Sequence, residues 1–363
     1  MTSTKKIDEA FEEALSQGVF PGAILAVGKE KKILFKKCYG LAERIPIERK
    51  LTLKTYFDIA SLTKPLCTAT LAIILVEKGV LDLETPLSKF FPKLKEPHSR
   101  IQIRHLLQHT SGLPSWKRYF EKWNPPAVTA ESLEEIQKEL VKKILHESLE
   151  KEIGVTKTYS DLGYILLGVI LEKLTQKPLD RLFQDLVAKP LNLTQTFFIR
   201  HFGKTKRLPR TEFASTGKCQ WRRKILAGEV DDEHAWLLGG VAGHAGLFST
   251  IDDLIKFANE FLKIDSDEGK LIKKATFRTW IDAKPPLGWD TPSAQNSQAG
   301  NLFSKETIGH LAFTGCSIWI DLVKKFYVIL LTNRVHPNRY NEAIKIFRPK
   351  IHDLALQTLR LVK

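Results

Sequence analysis

Strand-like sequence stands only near the two ends of this chain, and that placement constrains the fold more than any other feature. Residues 22–27 and 33–39 are short β-rich runs joined by Gly28-Lys29-Glu30-Lys31, which predicts an antiparallel hairpin. Residues 310–320 and 325–332 read as a second hairpin. Residues 4–17 place Ile7, Phe11 and Leu15 on one helical face, and residues 340–361 form a closing helix. The order helix, strands, helical middle, strands, helix predicts an α/β protein of the α+β type. One antiparallel sheet is expected from both chain ends, flanked by the terminal helices, with a mostly helical insert. The expected division gives 1–60 and 290–363 to the sheet and 61–289 to the insert, with an active site in the seam.

Within the middle, 81–91 reads as an extended lid with a turn at Thr85-Pro86. Residues 101–114 begin as a helix that Gly112 and Pro114 end. His105 and His109 have metal-ligand spacing, but no Glu stands between them as in a zinc protease, and a helix-end contact is the preferred reading. Residues 114–130, with Trp116, Tyr119, Phe120 and Trp123, are either packing or a substrate-facing wall. Residues 131–150 read as an exposed charged helix, and 203–224 as a basic surface excursion. The glycines of 239–250 lack the order of a dinucleotide site and suit close backbone packing beside a cleft. Thr250 is expected to cap a helix running to Leu262, and 284–305 is a polar loop.

One stretch carries chemistry. In Ser61-Leu62-Thr63-Lys64-Pro65 the serine and lysine share a helical face, so hydroxyl and amine can meet. Pro65 is tolerated only in a first turn, which puts Ser61 at or just before the helix start. A serine beside an amine is a minimal activated nucleophile. The same spacing recurs from Ser3, Ser148 and Ser215, but only Ser61 opens an apolar helix. Tyr159 stands just before the apolar helix of 162–174, where its phenol either shuttles a proton or serves as a structural tyrosine corner.

The chain carries 56 Lys+Arg against 41 Asp+Glu, a net charge of +15. The basic residues are scattered and form no nucleic-acid motif, so neither nucleic acid nor a membrane is an expected partner. The longest apolar run, 162–171, is about half of a membrane span. No secretion signal is visible, and Cys38, Cys67, Cys219 and Cys316 are widely spaced reduced thiols, so the expected location is the cytoplasm. The oligomeric state is left open.

Ser61-Leu62-Thr63-Lys64, Tyr159-Ser160-Asp161 and Gly309-His310-Leu311-Ala312-Phe313-Thr314-Gly315 occur in that order. Together they resemble the three motifs of the serine β-lactamase and penicillin-binding-protein superfamily, in its class C β-lactamase-like branch of esterases and D-peptidases. The resemblance runs from about residue 8 to about 355 as one catalytic unit. It implies that Ser61 forms an acyl-enzyme, that Lys64 and Tyr159 handle its proton, and that the backbone N–H groups of Ser61 and Phe313 form an oxyanion hole. It implies substrate contacts at Asp161, His310 and Ala312, and neither metal nor organic cofactor.

Two departures stand out. Asp161 replaces the usual Asn; a carboxylate cannot donate a hydrogen bond, and beside Lys64 it favours the charged ammonium. Leu311 and Ala312 replace the usual Thr and Gly, and neutral His310 holds a carboxylate less well than lysine would. The expected function is a serine hydrolase of small esters or amides, carboxylesterase-like. The alternatives are β-lactamase or D-amino-acid and DD-peptidase activity, or a catalytically silent binding protein of the same fold.

Overall fold

In the computed structural model the described residues are 4–202 and 208–362. Ser3 and the 203–207 part of the basic stretch lie outside them. The strands, in chain order, begin with β1 (Gly22–Lys29), β2 (Lys32–Glu43) and β3 (Arg49–Lys50). Short strands follow: β4 (Phe57–Asp58), β5 (Phe197–Phe198), β6 (Lys218–Cys219), β7 (Lys224–Ile225) and β8 (Leu247–Ser249). The chain then returns with β9 (Thr307–Leu311), β10 (Ser317–Asp321) and β11 (Phe326–Thr332).

The main sheet has 6 strands in the order β3-β2-β1-β11-β10-β9, all antiparallel. The two chain ends meet at β1 and β11, from Ala23 opposite Thr332 to Lys29 opposite Phe326. The stretch read as a second hairpin is in fact three strands, because Ala312–Gly315 forms a turn between β9 and β10, with the Gly315 N–H on the Ala312 carbonyl at 2.9 Å.

Side chains alternate across the sheet, and both faces are covered. Ala23, Leu25, Val27, Val328 and Leu330 pack with the terminal helices Lys5–Ser16 and Ile344–Thr358 through Phe11, Ile351 and Leu356. Ile24, Ala26, Ile329 and Leu331 face the larger core, which includes Leu254 and Phe257 of the Ile251–Asp265 helix. Burial on both sides explains why β1 reads as an unbroken apolar run rather than an alternating one. Each large side chain so buried contributes about 1.5–3 kcal/mol. The Ile251–Asp265 helix comes from the middle of the chain yet packs on β1, β10 and β11.

The helical stretch Ala60–Glu77 is long and apolar enough to cross a membrane, but 83% of it is buried inside the fold. It is apolar on every side because core surrounds it.

Several local expectations need correction. Residues 81–91 are no lid: Leu81 and Leu87 are buried, a helical turn forms at Leu87–Phe90, and the Leu87 N–H bonds the Ile101 carbonyl at 2.7 Å. The Leu133–Leu145 helix buries Ile136, Leu140, Val141 and Ile144, so its charges mark one face only. Thr250 precedes its helix without capping it by side chain, since its hydroxyl bonds Gln195 Oε1 at 2.9 Å.

Candidate active site

The turn before the nucleophile is strained and braced. Ala60 has φ of 42°, a left-handed conformation that costs a non-glycine residue about 1 kcal/mol or more. The buried Asp58 carboxylate holds it by accepting the Ala60 N–H at 2.8 Å. Its other oxygen accepts the Asp231 N–H at 2.7 Å, and its carbonyl takes the Thr314 hydroxyl at 2.9 Å. One residue thus joins the serine turn, the 231 segment and the turn after β9. Burial, offset by these N–H groups, pushes the Asp58 carboxyl up to about 7. Ser61 follows in a 3₁₀ turn at Ala60–Leu62, where N–H groups lack helical acceptors.

After that turn the helix is π-wound over Lys64–Ala69 before becoming α-helical at Thr70–Glu77. Pro65 lies in the first turn of this segment, and the Thr70 hydroxyl satisfies its carbonyl at 2.7 Å. Lys64 is fully buried and its ammonium has three partners. It donates to Ser61 Oγ at 3.0 Å and to the His244 carbonyl at 3.1 Å, and it meets Asp161 Oδ1 at 2.6 Å. The last is a contact of opposite charges without good hydrogen-bond alignment. Burial alone would lower the Lys64 pKa, but the charges of Asp161 and Tyr159 outweigh it and hold the pKa above the ordinary value.

Tyr159, Ser160 and Asp161 are set by the start of the Asp161–Thr175 helix. The Ser160 hydroxyl caps that helix by accepting the Gly163 N–H at 3.2 Å, and it donates to the Pro114 carbonyl at 2.6 Å. The Tyr159 ring centroid lies 4.9 Å from Lys64 Nζ. Burial of its hydroxyl end pushes the phenol up to about 12, against the opposing pull of Lys64 and Ser61. The residue as a whole is nonetheless 37% exposed. Behind it lies His109, its ring 4.6 Å from that of Tyr159. His109 Nδ1 accepts the Ser160 N–H at 3.0 Å, so that nitrogen carries no proton, and burial holds the ring well below the usual histidine range. His105 Nδ1 accepts the Gln102 N–H at 3.1 Å. The pair therefore serves separate backbone contacts, and among the described residues no cluster suits a metal ion.

The third segment is mostly buried. His310 and Ala312 are buried, whereas Phe313 is in the cavity wall and 49% exposed. The His310 Nδ1–H donates to the Leu311 carbonyl at 2.8 Å, which turns the ring back on its own strand. Burial pushes the ring down to about 4, although Asp290 pulls the other way. Of the residues expected to contact substrate, Asp161 is in the cavity wall, and the His310 ring lies 6.0 Å from that of Tyr159. The Phe313 N–H has no acceptor among the described residues and lies in the same wall as Ser61.

The cavity at Ser61 has a volume of about 1240 Å³. Trp116 and Phe120 line it, which makes part of the aromatic loop a wall. The described part of the basic stretch is no surface excursion either: Phe213, Ala214, Ser215 and Thr216 are buried, and Lys218, Trp221 and Arg223 line the cavity.

Sequence reasoning missed three contributors. Asp58 had no motif to mark it. His244 supplies the Lys64 acceptor by its carbonyl, and its Nε2–H donates to Asp232 at 2.7 Å. Gly243 permits this approach, since a Cβ there would lie 2.2 Å from the Tyr164 carbonyl oxygen. The glycine density of 239–250 was the available signal.

The Beta-lactamase family model matches residues 7–351. A Bacillus subtilis (strain 168) protein described as N-acetylmuramyl-L-alanine amidase is 31% identical over 362 residues, covering 92% of this chain and 81% of that one. The octameric penicillin-binding protein homologue from Pyrococcus abyssi superposes with a TM-score of 0.71 at 20% identity, over 98% of this chain and 77% of that one. EstCE1, a hydrolase with promiscuous acyltransferase activity, superposes with a TM-score of 0.71 at 19% identity, over 96% of this chain and 98% of that one. With a family match over almost its whole length, and neighbours that share its sheet-and-helix architecture, the chain belongs to the beta-lactamase family of serine hydrolases.

Proposed function

We propose that this protein hydrolyses small esters or amides through an acyl-enzyme on Ser61, in the manner of a carboxylesterase. The observation that carries the reading is Lys64 Nζ at 3.0 Å from Ser61 Oγ, with Ser61 in the wall of a large cavity. In the resting state Lys64 is an ammonium held by Asp161. Attack requires the fraction in which Lys64 is a free amine and takes the Ser61 proton as Oγ bonds the carbonyl carbon. The Tyr159 hydroxyl, beside both groups, relays a proton to the leaving oxygen or nitrogen. The oxyanion is received by the Ser61 and Phe313 N–H groups. Water then attacks the acyl-enzyme with the same residues acting in reverse.

Amide cleavage of D-peptide or penicillin type is the second reading, favoured by the 31% identity to a protein described as an amidase. Against it, burial pushes the His310 ring down to about 4, so it is neutral at pH 7, which weakens recognition of a substrate carboxylate at that position. The test is turnover of p-nitrophenyl acetate and butyrate, with nitrocefin in parallel. Ester turnover that Ser61→Ala abolishes, with an acyl adduct on the native protein by intact mass, is the expected result. Equal rates for native protein and Ser61→Ala would sink the proposal, and faster nitrocefin cleavage would move it to the second reading.

A further inference from the structure

At about 1240 Å³ the cavity exceeds the ~300–1,000 Å³ that holds an ordinary small ligand. Ser61 is in its wall, and exposed residues of the β6–β7 hairpin and the 337–342 segment form its mouth. The hairpin is fixed in place. The Lys218 N–H bonds the Pro337 carbonyl at 3.1 Å, and Gly217 lies so close to Arg339 that a Cβ would come within 2.6 Å of its side chain. Arg222 points inward and is buried, donating to the Val230 carbonyl at 2.6 Å. Its neighbours Lys218 and Arg223 are left outward, exposed, in the cavity wall.

Most charges at this mouth are already matched. Arg339 meets Asp231 at 3.0 Å and Glu233 at 2.5 Å. Arg118 donates to Glu121 at 2.7 Å, and Glu342 meets Lys345 at 2.7 Å. Next to Arg223, Lys224 is taken by Glu229 at 2.6 Å. Among the described residues no carboxylate pairs with Lys218 or Arg223. Lys218 in β6 and Arg223 in the turn before β7 are therefore two exposed, unmatched cations in the wall of the cavity that also holds the nucleophile. In the same wall, Trp116 and Trp221 offer apolar surface to a hydrocarbon spacer.

We infer that this mouth is an anion subsite: Lys218 and Arg223 receive a carboxylate that an elongated substrate carries remote from its scissile carbonyl. The substrate class is then an ester or amide with an apolar spacer ending in a carboxylate. This deepens the hydrolase reading and rests on it, so its test is made without turnover.

Monomethyl suberate, anionic at one end, and dimethyl suberate, its neutral counterpart, are titrated by calorimetry into the Ser61→Ala protein. The monoanion is expected to bind more tightly. Adding Lys218→Ala and Arg223→Ala should cut that advantage about fivefold, the product of two exposed charge contacts, with the neutral ester unaffected. Arg223→Lys should retain part of it, and raising the salt should erode it. Equal binding of the two compounds, or an advantage that survives the double substitution in protein with unchanged thermal unfolding, would overturn the subsite. Neither result depends on whether Ser61 turns over an ester.

Discussion

The two ends of the cavity are built on opposite terms. At the nucleophile end, Lys64 is fully buried and each of its donors has a partner, while Ser160, His109 and Asp58 are fixed by backbone N–H or C=O groups. At the mouth, Tyr340 is 83% exposed, Trp116 is 38% exposed, and Lys218 and Arg223 have no carboxylate partner among the described residues. A buried polar network has much to lose when one member goes, because the others are left desolvated and unpaired. An exposed charge has little to lose, because water replaces its partner. The contrast separates holding the reacting atoms still from sorting what reaches them, and it ranks the substitutions that test it.

Lys64→Met should have the largest effect. It removes the base, which is expected to lower ester turnover by about 10²–10⁴. It also leaves the Asp161 carboxylate without its counter-ion, so thermal unfolding should fall as well. Retained turnover would mean that the tightly held end is structural, and the comparison would fail.

Asp161→Asn acts in the other direction. It keeps the shape of the side chain but removes the charge that holds the ammonium, so the Lys64 pKa should fall. The rise of the pH–rate profile should move to lower pH, and each unit of that movement multiplies the free-amine fraction about tenfold at neutral pH. An unmoved profile would show that Lys64 is not the group whose ionisation limits the rate.

Acidification should weaken the nucleophile end through its histidines. The buried His310 ring resists protonation down to about 4, while the unfolded ring takes its proton near the ordinary 6.5. The unfolded state then binds more protons, so stability falls as pH drops from 6.5 towards 4. The buried His109 adds to the same trend, whereas Asp58, raised to about 7, opposes it. Denaturant midpoints measured across this range should give a shallower slope in His310→Gln than in the native protein.

How far the sequence revealed these two ends follows from how local their signals are. Ser61 and Lys64 are one turn apart, and a helix start with Pro65 announces itself within five positions. The sheet was legible because β1 and β11 are strongly apolar and, among the described residues, have no strands of comparable length in the middle of the chain to pair with. The third partner of Lys64 was not legible: the His244 carbonyl lies 180 residues away and is a backbone atom, so no residue type marks it. Asp58 looked like any short polar residue before a helix. The 208–224 stretch looked solvated because its charges are visible in sequence while the burial of Phe213 and Ser215 beneath them is not. The orientation of His310 was not legible for a related reason: strand register fixes which face a residue occupies, but its turn back to the Leu311 carbonyl is set by packing.

Gly243→Ala probes the boundary between these kinds of signal. The added methyl meets the Tyr164 carbonyl at 2.2 Å and the Gly168 N at 2.8 Å, so the 243–244 segment must shift from the Asp161–Thr175 helix. Overpacking of this kind costs about 1–3 kcal/mol and should draw the His244 carbonyl off Lys64. Ester kcat should drop together with thermal stability.

The smallest effect belongs to the mouth. Tyr340 is open to solvent in the cavity rim, so Tyr340→Ala should change unfolding free energy by no more than about 0.5 kcal/mol. It still lines the cavity, so KM should change for long acyl esters and stay constant for p-nitrophenyl acetate, with kcat preserved for both. If kcat for the acetate ester fell as it does in Gly243→Ala, the mouth would be coupled to the reacting atoms. The two ends would then be one mechanical unit rather than a rigid site with a separate, adjustable entrance.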